Sequence, residues 1–341
     1  MADGRSGSEY PDTLQGFGYG FNKDGKLRKL HPDTNELGEE GFEFNVANDQ
    51  EKNQRHYEAL GEVITKYVYE LLETEGQLLR LEVPVSDDKV KSSDGDKNIK
   101  SFIFVSKDAL SNPDRLLILI HGSGVVRAGQ WARSLIINDS LKTGSQLPYI
   151  HRARELGYGI MVLNTNDNSR TIEGRHYKIK NSEDPHKHAQ YVWEHYIKKA
   201  KARHLAIVAH SYGGSVVMEL IKQFFDEFRK RVVAVAFTDS THFMSRPNSK
   251  MMYYLQKVAR NWVSSSAPLD TDEETSSKDV PRVSAGTPVH ELTSSSCLAS
   301  AFAFLEERLA EADTADIETA TEALDVDLPA WRRALARLLR R

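Results

Sequence analysis

Apolar residues recur along this chain in two rhythms, and the rhythms divide it into elements. After Asp49, the residues Tyr57, Leu60, Ile64, Tyr67 and Leu71 return at three- and four-residue steps, which predicts a helix with one buried face. Residues 78–85, 102–105, 115–120, 158–163, 205–209 and 232–237 are short apolar runs that read as strands. Those at 115–120 and 158–163 are nearly continuous, as expected of strands buried on both faces. Between them, 125–157 reads as helix in two pieces, broken near Gly144 and Pro148. Asp184-Pro185 opens another helix, with Asp at the cap and Pro in the first turn, whose face is Ala189, Val192, Trp193, Tyr196, Ile197 and Ala200. Helical spacing returns at Val216, Val217, Leu220, Ile221 and Phe224, then over 251–262 and 300–312. Short strands are predicted at 262–266 and from Arg282 toward His290. Residues 16–22 alternate glycine with aromatics, which suits a strand with close backbone approach. The stretches 23–48, 86–98, 164–183 and 267–280 are polar and read as loops. Strands alternating with helices predict an α/β fold, a mostly parallel sheet covered on both faces.

The most informative junction is the strand Leu205–Ala209 running into His210-Ser211-Tyr212-Gly213-Gly214 and then into helix. Strand, tight turn and helix are the context of a nucleophile elbow, which holds a serine hydroxyl clear of the sheet. Strand and helix nearly touch there, so small residues are needed two before and two after the serine. Ala209 and Gly213 meet that need. A serine cap on an ordinary strand–helix turn is the plainer alternative.

A serine hydroxyl needs a histidine to take its proton and an acid to orient that histidine, and in this fold the order along the chain is serine, acid, histidine. His290 is the base this order selects, just past the last predicted strand. His242 is a rival, and His210 adjoins Ser211 but should point away across the turn. Two carboxylates compete as the acid. Asp270 follows the penultimate strand and is preferred, and Asp239 ends the strand before it and stays as the alternative. The oxyanion hole requires two backbone N–H groups. Tyr212 supplies one, and Gly122 or Ser123, in His121-Gly-Ser-Gly124 after an early strand, supplies the other. These parts predict acyl transfer through an acyl-serine: hydrolysis of an ester, thioester or amide in a small acyl substrate.

Composition narrows the alternatives. Apolar residues make up 40% and charged residues 28% of 341, an ordinary globular balance, and a net charge of −4 gives no direct nucleic-acid signature. A single cysteine, Cys297, fits a reducing compartment. No apolar run approaches the ~20 residues of a membrane span, and the first residues lack the apolar core of a secretion signal. No phosphate loop, dinucleotide fingerprint or zinc spacing occurs, so no cofactor or metal is expected. His186, His188 and His195 fall on different faces of their segment. Domain organisation reads as a disordered stretch 1–15, one domain over 16–312, and a tail over 313–341. That tail is an acidic linker followed by a basic helix, whose face is Leu328, Trp331, Leu335 and Leu338. The helix is expected to fold onto the body or pair with the acidic stretch, and deleting the tail should leave the fold intact.

Five segments together resemble one family. They are Gly16-Phe-Gly-Tyr-Gly-Phe-Asn22, Leu117-Ile-Leu-Ile-His-Gly-Ser-Gly124, Ala209-His-Ser-Tyr-Gly-Gly214, Asn261-Trp-Val-Ser-Ser-Ser266, and Val283-Ser-Ala-Gly-Thr followed two residues on by His290-Glu-Leu-Thr293. In this order they resemble the cotranscriptional regulators formerly called "family with sequence similarity 172", which carry the domain named after fission yeast's second Argonaute-binding protein. The resemblance covers about residues 15–308. It implies an α/β-hydrolase-like fold and a nuclear and cytoplasmic regulatory role. It also implies protein partners, Argonaute and chromatin-remodelling proteins among them, and a link to alternative splicing. The family's nucleophile position maps onto Ser211. Two expectations follow: a regulatory adaptor on a hydrolase fold, which leads, and a working serine hydrolase. Unlike many members of that family, this chain shows neither a secretion-like start nor a retrieval-like tail.

Overall fold

A computed structural model of the chain describes residues 10–86, 99–242 and 249–326, with side chains to residue 316. It runs β1 (Tyr19–Phe21), β2 (Leu27–Lys29), α1 (Gln50–Thr74), β3 (Leu78–Val83), β4 (Ser101–Ser106), β5 (Arg115–Ile120), α2 (Arg133–Asn138), α3 (Leu141–Gly144), α4 (Leu147–Glu155) and β6 (Gly159–Val162). It continues through β7 (Ser169–Ile172), β8 (Arg175–Lys178), α5 (Pro185–Val192), β9 (His204–His210), α6 (Gly213–Arg231), β10 (Val232–Thr238) and α7 (Ser249–Val258). The last elements are β11 (Ala259–Val263), β12 (Asp272–Glu273), β13 (Arg282–Ser284), α8 (Thr293–Ser296) and α9 (Leu298–Val326).

Nine strands form one sheet in the order β12-β13-β11-β10-β9-β5-β6-β4-β3. From β13 to β6 the neighbours are parallel, and antiparallel pairs occur only toward the edges. Strand side chains alternate between the two faces. Leu117 and Leu119 of β5 and Ala206 and Val208 of β9 enter the core shared with α1, α4 and α9. Leu116, Ile118 and Ile120 of β5 and Leu205, Ile207 and Ala209 of β9 enter the core shared with α5, α6 and α7. This is an α/β-hydrolase-like architecture, with β9 at the centre delivering its carboxyl end to the turn before α6.

Caps follow the sequence signals. Asp49 accepts from Glu51 N and Lys52 N at the start of α1, and Asp184 accepts from Lys187 N with Pro185 in the first turn of α5. Other expectations are corrected. The helix read over 251–262 stops at Val258, because Ala259 to Trp262 pair in parallel with Val235 to Thr238. Residues 169–178, read as irregular, form the β7–β8 hairpin, and β2 lies within the loop read over 23–48. The segment 125–132 is irregular, so helix begins only at Arg133, and it comes in three pieces, α2, α3 and α4, rather than two. Helix α9 does not end near 312 but runs through the acidic stretch to Val326. Asp313 Oδ1 lies 3.1 Å from His204 Nε2 and 3.3 Å from Arg203 Nη2. The basic helix expected over 331–341 and most of the stretch 1–15 lie outside the described residues. Cys297 is buried beneath α4, and burial pushes its thiol up to about 12.

Candidate active site

At the end of β9 the backbone turns sharply. Ser211 has φ +51°, in the left-handed region that non-glycine residues rarely enter. Neighbouring strands hold that turn: Ser211 N donates to Thr238 O at 3.0 Å, and Thr241 N donates to Ser211 O at 3.0 Å. Close packing explains the flanking glycines. A Cβ on Gly213 would lie 2.8 Å from Ile120 O and 2.9 Å from His121 O, and one on Gly214 would overlap Ser240 Oγ. The positive φ of Ser211 is thus held in place by its surroundings. Ser211 Oγ makes no hydrogen bond among the described residues.

The loop after β5 lies against the elbow. A Cβ on Gly122 would meet Ser211 Cβ at 3.1 Å. Gly122 O accepts from His121 Nδ1 at 2.8 Å and from Asn166 Nδ2 at 2.9 Å. Because the peptide is planar and trans, pinning that carbonyl turns the Ser123 N–H the opposite way. Asn166 Nδ2 also reaches Gly124 O at 3.2 Å and Val126 O at 3.1 Å, so one amide gathers three carbonyls of this loop. Burial lowers the His121 pKa to about 4 and keeps its ring neutral. The N–H groups of Tyr212 and Ser123 donate to no group among the described residues, which leaves both free to receive an anion.

His290 opens a short 3-10 turn after β13. Its Nδ1 lies 2.7 Å from Asp239 Oδ2, and Asp239 Oδ1 accepts from Ser264 N at 3.1 Å. That hydrogen bond to Asp239 raises the His290 pKa above the ordinary histidine value. Burial opposes ionisation of Asp239, but the bonds from His290 and Ser264 outweigh it and hold the carboxyl below its usual range. The His290 ring sits 4.8 Å from that of His210, the residue directly before Ser211. With Nδ1 on the carboxylate, Nε2 is the nitrogen left for a proton acceptor's role.

The two candidate acids are separated by their surroundings. Asp270, the preferred one, accepts from Trp262 Nε1 at 2.8 Å and from Ser300 Oγ at 2.5 Å, tying β11 to α9. It makes no hydrogen bond to His290, and Asp239 does. The rival base His242 is also occupied: Nδ1 lies 2.9 Å from Ser240 Oγ and Nε2 lies 2.7 Å from Asp279 Oδ1. No ring nitrogen of His242 remains for Ser211. His210 is turned into the protein, with Nδ1 2.9 Å from Thr238 O, and burial lowers its pKa to about 4. His188 binds Ser182 Oγ and the backbone of Asn164, while His186 stacks on Tyr212. Among the described residues no cluster of His, Cys, Asp or Glu could hold a metal ion, and no helix is long and apolar enough to cross a membrane. Sequence reasoning missed Asn166, whose only signal was an asparagine in a polar segment after a strand.

The family model described as "Arb2 domain" matches residues 10–269. The chain belongs to the Arb2 domain family. This agrees with the five segments that first pointed there. Two curated relatives are "Cotranscriptional regulator ARB2A homolog" from Gallus gallus and "Cotranscriptional regulator ARB2A" from Homo sapiens. Each is 42% identical over 363 aligned positions, covering 92% of this chain and 84% of the relative. Among solved structures, the histone deacetylase Clr3 aligns with a TM-score of 0.49 at 15% identity, over 73% of this chain and 39% of that one. In this Arb2 domain, the sheet places the turn at Ser211, the loop after β5 and the His290–Asp239 pair beyond the carboxyl ends of strands.

Proposed function

We propose that this chain is a cotranscriptional regulator whose Arb2 domain keeps a serine-hydrolase site. The regulatory half is supported by the names of its relatives. It carries with it a location in nucleus and cytoplasm, Argonaute and chromatin-remodelling proteins as partners, and a link to alternative splicing. The chemical half rests on one observation above others: a histidine 2.7 Å from a half-buried carboxylate, its ring 4.8 Å from that of His210, the residue before a serine held at φ +51°.

In this reading Ser211 Oγ attacks the acyl carbon of a small ester, thioester or amide, and its proton passes to His290 Nε2. Asp239 holds the imidazole in the tautomer that leaves Nε2 basic and stabilises the imidazolium that forms. The tetrahedral oxyanion rests on the N–H groups of Tyr212 and Ser123. Collapse breaks the acyl bond, and the leaving alcohol, thiol or amine takes the proton from His290. Water then attacks acyl-Ser211, again losing a proton to His290, and releases the acid with the serine restored. The missing Ser211–His290 hydrogen bond is compatible with this, since such bonds often tighten only with substrate.

The test is labelling of the purified chain by a fluorophosphonate probe. Labelling of wild type that Ser211→Ala and His290→Ala both abolish is the expected result. A folded wild type that takes no label would remove the hydrolase half and leave the adaptor half. For that half, an Argonaute pull-down should be as strong with Ser211→Ala as with wild type. Loss of the partner through that substitution would count against an adaptor surface separate from the elbow.

A further inference from the structure

A second histidine–aspartate pair stands behind the first. Asp239, Ser240, Thr241 and His242 form one short loop after β10. Asp239 N donates to Trp262 O at 2.7 Å, Ser240 N donates to Asn261 Oδ1 at 3.2 Å, and Thr241 N donates to Ser211 O at 3.0 Å. The loop therefore touches β11 on one side and the elbow on the other. Ser240 packs so closely on Gly214 that no side chain fits between them. Its hydroxyl is fixed by His242 Nδ1 at 2.9 Å, and His242 Nε2 is fixed by Asp279 Oδ1 at 2.7 Å. The His242 ring is 7% exposed and stacks on Phe237, with centroids 4.6 Å apart and planes 11° apart. Asp279 is anchored in turn. Val280 N donates to its carboxylate at 2.8 Å, and its own carbonyl accepts from Gln256 Nε2 at 3.1 Å.

We propose that His242 and Asp279 are positioning residues. They clamp Ser240, and through it hold the Asp239 carboxylate in register with His290 and with the turn that carries Ser211. The proposal rests on the hydrolase reading of Ser211 and His290, and deepens it. Neither residue touches substrate. Each ring nitrogen of His242 has a fixed partner, so the ring acts as a rigid strut between two loops. A strut of this kind matters because catalytic groups must be held within fractions of an ångström, and a misplacement of about 1 Å costs roughly 100-fold. The groups that face His290 are Asp239, Glu291 and His210. Around the strut the charged groups are Asp279 itself and Arg282, which faces that carboxylate. Neither substitution below removes a group that faces His290 directly, so a change in His290 reports movement of Asp239.

The experiment follows the imidazole resonances of the full-length, 15N-histidine-labelled chain through a pH titration, beside fluorophosphonate labelling rates. In wild type the His290 midpoint lies above the ordinary histidine value. In Asp279→Asn and His242→Ala it should fall toward the ordinary value, with probe labelling slowed by about 10-fold. His242→Gln, which keeps an N–H able to reach Asp279, should recover part of both. Should His242→Ala fail to fold, the nearly isosteric Asp279→Asn decides. A His290 midpoint unmoved in folded Asp279→Asn would overturn the proposal, whatever the labelling rate. A wild type that takes no label, but whose His290 still shifts with Asp279→Asn, would sink the hydrolase reading and leave the positioning role standing.

Discussion

Placing a methyl group on Gly213 tests the elbow packing most directly. The backbone there is already helical, so Gly213→Ala adds no conformational strain and the outcome depends on space. The new Cβ would sit 2.8 Å from Ile120 O and 2.9 Å from His121 O. An ordinary carbon contact needs roughly 3.5 Å, so the end of β5 and the start of α6 must part by about 0.6–0.7 Å. Both oxygens are backbone, and no rotamer change relieves the contact. β5 is paired with β6 and β9 on either side, so the start of α6 must yield. Overpacking of this kind costs about 1–3 kcal/mol. Exchanging glycine for alanine at a helix position returns at most about 1 kcal/mol. The net expectation is a loss of about 1–2 kcal/mol in urea unfolding. The same shift moves the Tyr212 N–H, so fluorophosphonate labelling should slow by about 10-fold. A variant as stable as wild type, or more stable, with its labelling rate within about twofold of wild type, would refute the close-packing argument and the elbow assignment built on it.

Further outcomes follow from the site and its surroundings. Asp239→Asn should slow probe labelling by about 100-fold or more. Asp270→Asn should leave labelling near wild type while lowering stability by about 0.5–1.5 kcal/mol, because it disturbs the part-buried bond from Trp262 and the exposed one from Ser300; the opposite pattern would make Asp270 the acid. Labelling should rise with pH through a midpoint above the ordinary histidine value, and Asp239→Asn should move that midpoint down. His290 is raised on folding, so its share of stability is complete below its unfolded pKa near ~6.5 and fades as pH rises through the folded value. Asp239 is lowered, so its share is present above its unfolded value near ~3.9 and fades as pH falls through the folded one. Their pairing should therefore stabilise most between those two limits, which urea titrations at several pH values would show. Deleting 313–341 should leave a folded chain that loses about 1–2 kcal/mol, since the ion pair of Asp313 with Arg203 lies at the surface and only its bond to His204 is partly buried; a chain that no longer folds would mean that the tail belongs to the core.

Much of this architecture is legible in the pattern of apolar residues, because buried strands and amphipathic helices must show it. The runs at 115–120 and 205–209, and the cap signals at Asp49 and Asp184-Pro185, lead directly to elements. The tight strand–turn–helix at Ser211 is legible for a further reason: the turn tolerates only small residues at its start into the helix, and Gly213 and Gly214 record that. The acid is not legible. Asp239 and Asp270 both follow strands, both precede His290, and both have positive φ. They differ in what packs beside them, and nothing local announces that Trp262 Nε1 and Ser300 claim Asp270. The end of α7 is hidden for a similar reason. Residues 259–262 keep a helical spacing, but pairing with β10 outweighs that local preference. Asn166 was missed because its role is to collect three carbonyls from a loop some forty residues earlier. The acidic segment after 312 reads as a linker, yet α9 continues through it, and side chains at Arg203 and His204 meet its Asp313 and Asp316.

The lone cysteine carries a practical consequence. Cys297 is sealed in the core, with a thiol pushed up to about 12, so it offers almost no thiolate to a reagent at neutral pH. Any cysteine introduced at the surface would therefore be modified alone, with no need to remove the native one. Val125 and Val289, both more than two-fifths exposed, flank the loop after β5 and His290 respectively. A maleimide dye at either position would report on the surroundings of that loop or of His290 against a silent background, and a pair of them would give the distance between the two.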